Sequence, residues 1–391
     1  MPMRSVALSV CDERLLARMR RLARDGSIAV LACASVACEV RGVIGSNLTV
    51  GASSTTASSS VGDDDTAMST DESDGEVRLD VDNSDVHLEC HPPASGPCDH
   101  LDDDPWHAMG LGCPGDLEVV TSFVGSPEAL AVHEGTLGTS GVYAPREGSR
   151  FVILSTGRAE HLSMTPAELQ SELDDCEPIV CPSSDLGQGQ RKVLPSPIDV
   201  RRVAADGDCA DHPTLVGKGD CSNTLWSQWI EGSGAYDYVE LRMRAVVPPQ
   251  TDGVSYDFAF FSVEYPLWID HESPWNDMYL AWLESESWTG NISFDEVGGP
   301  ISVKSVLLDF MDAPTDVCPE PCEAPELAGF AMEGHAGTKW LTTTAPVRTG
   351  EEIEIVFALF DLTDAFFDSM VILDNFQWTC SGVPPVTNTA G

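Results

Sequence analysis

Positive charge is scarce in this sequence. Lys and Arg number 21 against 63 Asp and Glu, which leaves a formal net charge of −42. A polyanion of that size repels phosphate backbones, so nucleic acid is excluded as a partner. Long apolar runs are lacking as well. The N-terminal run Ile28–Ala37 covers roughly ten residues, half of what a bilayer-spanning helix needs, and no other stretch is longer, so no transmembrane helix is expected. The familiar catalytic signatures are missing too. His133-Glu134 and His271-Glu272 have no second histidine at zinc-protease spacing. Gly232-Ser233-Gly234 has the wrong spacing for a nucleophile elbow, and no glycine loop is built to cradle phosphate. No nucleophile and base can be named together, so an enzyme is not expected. A secreted hydrolase using Glu264 and an aspartate is the alternative, but acids are too abundant here for such a pair to stand out.

Hydrophobic residues make up 42% of the chain, enough for a sizeable core. Cysteine is plentiful, at 13 residues. Cys11, Cys33 and Cys38 lie in or near the N-terminal apolar run. The remaining ten are Cys90, Cys98, Cys113, Cys176, Cys181, Cys209, Cys221, Cys318, Cys322 and Cys380. An even set with close neighbours at 176/181, 209/221 and 318/322 reads as disulfides formed in an oxidising compartment. A zinc site at Cys318-Pro-Glu-Pro-Cys322 is disfavoured, because no second ligand pair sits at a suitable distance.

Arg18, Arg20, Arg21 and Arg24 precede the short apolar run, which ends in small residues. That is the pattern of a secretory signal, assigned to residues 1–38. Asp25 and the polar prelude before Met19 depart from it, and leave Met1 and Met19 as alternative starts. Ser35-Val36-Ala37-Cys38 is similar to a lipidation signal, with Val30-Leu31-Ala32-Cys33 as its rival. Cleavage before Cys38 discards the other two N-terminal cysteines and leaves an even set, so Cys38 is the expected lipid anchor. An ordinary signal peptide cut after Ala37 is the alternative.

Residues 39–88 read as a disordered linker. Gly51–Ser60 is small and polar, and Asp63-Asp64-Asp65 and Asp71-Glu72-Ser73-Asp74 add like charge. Such a stretch cannot bury enough apolar area to offset the entropy of ordering it. Consecutive aspartates lack the alternate spacing of a calcium loop, so this run reads as solvated charge.

Residues 89–382 carry the folded body. In Tyr238–Val246, Val239, Leu241, Met243 and Ala245 alternate with Glu240, Arg242 and Arg244, which predicts a strand with one wet face. Further strands are predicted at 117–123, 150–154, 256–263, 301–308, 353–360 and 369–373. Thr165-Pro166-Ala167-Glu168 is a capping box with proline at the first helical position, and predicts a helix to about Leu173. Many short strands and one or two short helices predict an all-β fold, an antiparallel β-sandwich of jelly-roll-like type. Residues 383–391 read as a polar tail.

Three segments taken in order resemble the choice-of-anchor L domain of secreted bacterial proteins. They are Phe260-Phe261-Ser262-Val263-Glu264-Tyr265-Pro266, then Asn276-Asp277-Met278-Tyr279, then Phe360-Asp361 through Asp364 and Asp368-Ser369 to Ile372. Leu154-Ser155-Thr156-Gly157 and Gly217-Lys218-Gly219-Asp220 fall in the same order upstream, so the resemblance covers roughly 115–380. It implies a β-rich extracellular module with a variable anchor and no established chemistry. The C-terminal sorting segment that many members carry is not present in this sequence.

Glu264, Asn276, Asp277, Asp361, Asp364 and Asp368 recur in those motifs. Hard oxygen donors of this kind suit calcium, which takes six to eight oxygens. The competing reading is that they cap turns through Asx hydrogen bonds. Trp268 and Trp275 belong to a tryptophan- and tyrosine-rich stretch whose rings suit a glycan, against the alternative of core packing. The expected function is adhesion or envelope interaction at a bacterial cell surface, through a surface glycan or protein. A structural envelope component without ligand is the alternative.

Overall fold

A computed structural model describes residues 90–391 apart from 95, 101, 174–175, 177, 204–207, 270–273, 306–307 and 314–322. The readings for 1–38 and 39–88, including Cys38, fall outside the described residues, as do Cys318 and Cys322.

Alternation in the sequence becomes two antiparallel sheets. One is built from β1 (Val119–Val124), β4 (Ala235–Val246), β12 (Glu352–Leu362), β6 (Met278–Glu284) and β7 (Thr289–Asn291) in that order, with β8 (Ile301–Ser302) also on β6. The other runs β14 (Val386–Thr389), β11 (Leu341–Pro346), β5 (Gly253–Ser262), β13 (Ser369–Thr379), β3 (Arg150–Ser155) and β2 (Leu130–Glu134). A short β10 (Ala336–Gly337) joins β5 to β9 (Phe310–Met311). The long strands change sheet in succession, β4 to β5 to β6 and β11 to β12 to β13, as a sandwich requires. The architecture is the all-β antiparallel sandwich expected.

Val239, Leu241 and Met243 of β4 and Ile355, Phe357 and Leu359 of β12 meet Tyr256, Phe258 and Phe260 of β5 and Val371 and Leu373 of β13 between the sheets. Each such side chain removed from water contributes roughly 1.5–3 kcal/mol against the entropy of ordering the chain. The outer faces are also covered. Leu162, Leu327 and Phe330 of the connecting segments and Leu169 of the helix over 166–172 pack on Phe151, Phe261 and Ile372. Leu194, Ile198 and Leu225 pack on Tyr238, Trp282 and Phe360. This covering corrects the reading of β4 as a strand with one wet face. Glu240 is only 1% exposed, and is held by the Tyr238 hydroxyl and the Arg242 guanidinium. Arg242 in turn meets Glu354 at 2.8 Å.

The helices are short: α1 (Pro105–Ala108), α2 (Pro166–Glu172) and α3 (Trp226–Trp229). The capping box opens α2 as predicted, with Thr165 Oγ1 accepting from Glu168 N and Glu168 Oε2 accepting from Thr165 N. Two expectations are corrected. The strand at 301–308 stops after Ser302, where Val303 and Lys304 turn. The polar tail is not all tail, since Val386–Thr389 pair with β11 as the outermost strand of their sheet.

Among the described residues four disulfides are formed, Cys90–Cys380, Cys98–Cys113, Cys176–Cys181 and Cys209–Cys221. The first closes a loop of 290 residues and in a chain-entropy account contributes roughly 5–6 kcal/mol. These bridges fit an oxidising compartment. Among the described residues no helix is long and apolar enough to cross a membrane.

A buried acidic pole at one end of the sandwich

Most of the motif residues gather where β5 ends, β12 ends and β13 begins. Glu264 follows β5 by two residues, in the turn that carries the cis Tyr265–Pro266 bond. Asp277 precedes β6 and Asp361 is the penultimate residue of β12. The connection 363–368 then carries Asp364 and Asp368 back to β13. Thr363 and Phe367 in that connection hold positive φ, at 98° and 63°, conformations a non-glycine residue adopts only when its surroundings compel it.

The end of β3 closes the pole. Thr156 Oγ1 accepts from Ser369 N at 3.0 Å and also bonds the Asp361 carboxyl. Gly157 faces Asp368 so closely that a Cβ there would lie 2.0 Å from Asp368 Oδ2. Glycine is therefore a steric requirement at this position. Ser369 Oγ donates to Asp277 Oδ2 at 2.6 Å.

The carboxyls are almost wholly withdrawn from water: Glu264 and Asp277 are 1% exposed, Asp361 and Asp368 2%. Among the described residues, both carboxyl oxygens of Glu264, Oδ1 of Asp361 and Oδ2 of Asp368 have no hydrogen-bond partner. Burial pushes the Glu264 carboxyl well above the usual range, and the charges of Asp277 and Asp364 push it further. Burial likewise lifts Asp277, with the Ser369 hydroxyl pulling it back down and Asp364 and Asp368 adding to the rise. Asp361 is lifted by burial and by Asp277, against a downward pull from Thr156. Burial brings Asp364 to about 6 and Asp368 to about 7. A carboxylate taken from water without a hydrogen bond or counter-charge costs several kcal/mol or stays protonated. Among the described residues no group of three or more His, Cys, Asp and Glu side chains is set to hold a metal ion in its present geometry.

Asp237 belongs to the pole and was missed by sequence reasoning. A bulge in β4 opposite Phe360 puts an extra residue into that strand, and Asp237 occupies it with φ of 40°. Its carboxyl accepts from Gln188 N at 3.1 Å and Leu186 N at 3.4 Å, and burial, with the charge of Asp185 adding, raises it to about 6. The segment 182–188 seals the pole, with Ser184 N donating to Asp368 Oδ1 at 2.7 Å. Outside it lies a depression of about 420 Å³ lined by Asp185, Asp237, Asp364, Tyr236 and Phe366 among others.

Asn276 stands apart from the acids. Its amide donates to Gln228 and its oxygen accepts from Lys304 N, so both ends are spent on structure. Asp220 also lies elsewhere, capped by Ser222, Leu225 N and Asn291 N. Trp268 and Trp275 are half-buried and packed on each other with ring centres 4.9 Å apart, and Trp268 also meets Phe367 of the acidic connection. Trp282 and Trp288 are core residues.

Comparison of the chain with family models, with curated proteins and with solved structures returned no match.

Proposed function

We propose that this chain is an exported, cell-surface binding module of the choice-of-anchor L type, which engages a surface glycan or protein in adhesion or envelope interaction. In this reading residues 1–38 direct export, Cys38 carries the lipid anchor, and residues 39–88 tether the sandwich away from the membrane. The disulfides support an oxidising destination. The observation that carries the binding role is the depression beside the acidic pole. It sets the carboxylates of Asp185 and Asp364, over the buried Asp237, against the aromatic rings of Tyr236 and Phe366. Carboxylates bond hydroxyls and amines, and ring faces stack on sugars or hold cations, so the lining suits either partner class.

The test is binding of the mature domain to isolated cell envelopes. Saturable binding that falls at least tenfold in Asp364→Asn and Phe366→Ala is expected. Binding no better than that of an unrelated protein of equal charge would leave a structural envelope component as the reading.

A secreted hydrolase is favoured by one observation, the coupled carboxyls with raised pKa. Against it, Glu264, Asp277 and Asp361 lie beneath the surface at no more than 2% exposure, and of the acids at the pole it is the half-buried Asp364 that lines the depression. Sugar or peptide release by the wild type, lost in Asp364→Asn, would reverse that preference.

A further inference from the structure

The buried pole holds acid in excess of anything that balances it. Glu264, Asp277, Asp361 and Asp368 are each at most 2% exposed. No ion pair joins any of these four to a Lys, Arg or His among the described residues. Four of their eight carboxyl oxygens lack a hydrogen-bond partner among the described residues, including both of Glu264. The large majority of buried side-chain polar atoms are bonded, so four orphans at one place point to a missing partner.

We propose that this pole is a divalent-cation site, that its ion is calcium, and that Glu264, Asp277, Asp361 and Asp368 supply its carboxylate oxygens. The donors are all hard oxygens, with neither imidazole nor thiolate among them, which suits calcium or magnesium and not zinc or copper. Calcium accepts irregular shells of six to eight oxygens at about 2.3–2.6 Å, whereas magnesium demands an octahedron near 2.1 Å. Four carboxyls reaching in from the ends of β5 and β12, the start of β13 and the approach to β6 suit the larger and more tolerant ion. The side chains do not close on one point as they stand, so binding draws their carboxyls inward. Asp364 sits between the buried set and the depression and forms the way in from solvent. The site stands whether or not a surface partner binds the depression.

The ion's arrival is readable from a neighbour. Trp268 N donates to the Glu264 carbonyl oxygen, and the Trp268 ring packs on Trp275 and Phe367. Movement of Glu264 therefore reaches an indole. The experiment strips the mature chain with chelator and titrates it with calcium chloride and, separately, magnesium chloride. Heat, tryptophan fluorescence and thermal midpoint are followed. A calcium dissociation constant below about 1 mM, a weaker magnesium response, a fluorescence change, and a rise of about 5 °C at saturation are expected.

Glu264→Gln separates a site from mere crowding of acids. In stripped protein it raises the thermal midpoint by removing the cost of burying an ionisable carboxyl, yet it weakens calcium binding at least tenfold. If Glu264→Gln does not fold, Asp361→Asn makes the same test. No heat and no thermal shift in stripped wild type at 10 mM calcium would overturn the proposal. So would a Glu264→Gln protein that binds calcium as the wild type does.

Discussion

Strands β5 and β13 bury carboxyls at two places along their length, and the two places are balanced differently. Midway, Asp257 and Asp374 stand directly opposite each other in register. Like charges so placed are destabilising unless something intervenes. Here Arg146 Nε donates to Asp257 Oδ2 at 3.1 Å, and Asn375 Nδ2 and Thr342 Oγ1 donate to the same carboxyl. The backbone N–H groups of Arg146 and Asn375 supply Asp374 at 2.6 Å each. At the far end of the same strand pair, Glu264 and Asp368 have neither a guanidinium nor a full set of donors. Midway the fold supplies donors to both acids, side chains at Asp257 and backbone N–H groups at Asp374, although burial still lifts Asp374 to about 8. At the far pole it leaves carboxyl oxygens without donors. A structural carboxylate is recognised by its satisfied oxygens, and a ligand-seeking one by its orphans.

The widest gap between the two places comes from removing the internal counter-charge. Arg146→Met leaves Asp257, whose side chain is 3% exposed, without its cation. Because Arg146 itself is 31% exposed, the loss sits below the fully buried range, at about 2–3 kcal/mol. Urea unfolding at pH 7 measures it. A neutral result would mean that carboxylates bury in this sandwich without a counter-charge, and the orphans at the far pole would then lose their meaning.

A middling effect is expected from Gly157→Ala. The added methyl would fall 2.0 Å from Asp368 Oδ2 and 2.2 Å from its Cγ, while Ser184 N holds that carboxyl from the other side. Displacing it costs about 1–3 kcal/mol, as overpacking does elsewhere. The loss should appear in unfolding and also in calcium affinity, whereas Arg146→Met should leave calcium affinity unchanged. Equal effects of both substitutions on calcium would deny that the two places are separate.

Much of this was legible in advance. The period of two in β4 and the apolar run of β12 placed the two central strands, and Thr165 with Glu168 placed α2. Asp361, Asp364, Asp368, Asp277 and Glu264 were named from the sequence and meet at one pole, which is reasonable for residues that flank strand ends. Asn276 was named with them but is absorbed by Gln228 and Lys304, since a neighbour in sequence points elsewhere in an extended chain. What escaped has physical causes. Val386–Thr389 is too short and polar to announce a strand, and forms one by completing the edge at β11. Glu240 looked wet because charge alternated, but Tyr238 and Arg242 satisfy it beneath a covering loop. Asp237 escaped because a bulge breaks the very periodicity used to read β4.

That bulge supplies the smallest and most discriminating effect. Asp237 has its carboxyl raised to about 6, chiefly by burial. A carboxyl lifted above its unfolded value near 4 binds more protons folded than unfolded over pH 4–6. Stability from this group is therefore full below pH 4 and is lost as pH rises through 6. Asparagine tolerates positive φ and keeps an oxygen for the Gln188 N–H, so Asp237→Asn fits the bulge. It should change stability little at pH 4 and raise it by about 1 kcal/mol above pH 6, a figure held low because asparagine gives up one of the two backbone bonds. Arg146→Met should show the opposite sign at neutral pH. Thermal midpoints of both variants between pH 4 and pH 8, in chelator, decide the matter. If Asp237→Asn loses stability at every pH, its two backbone bonds outweigh the cost of burying its charge, and Asp237 belongs with the balanced acids of Asp257 and Asp374.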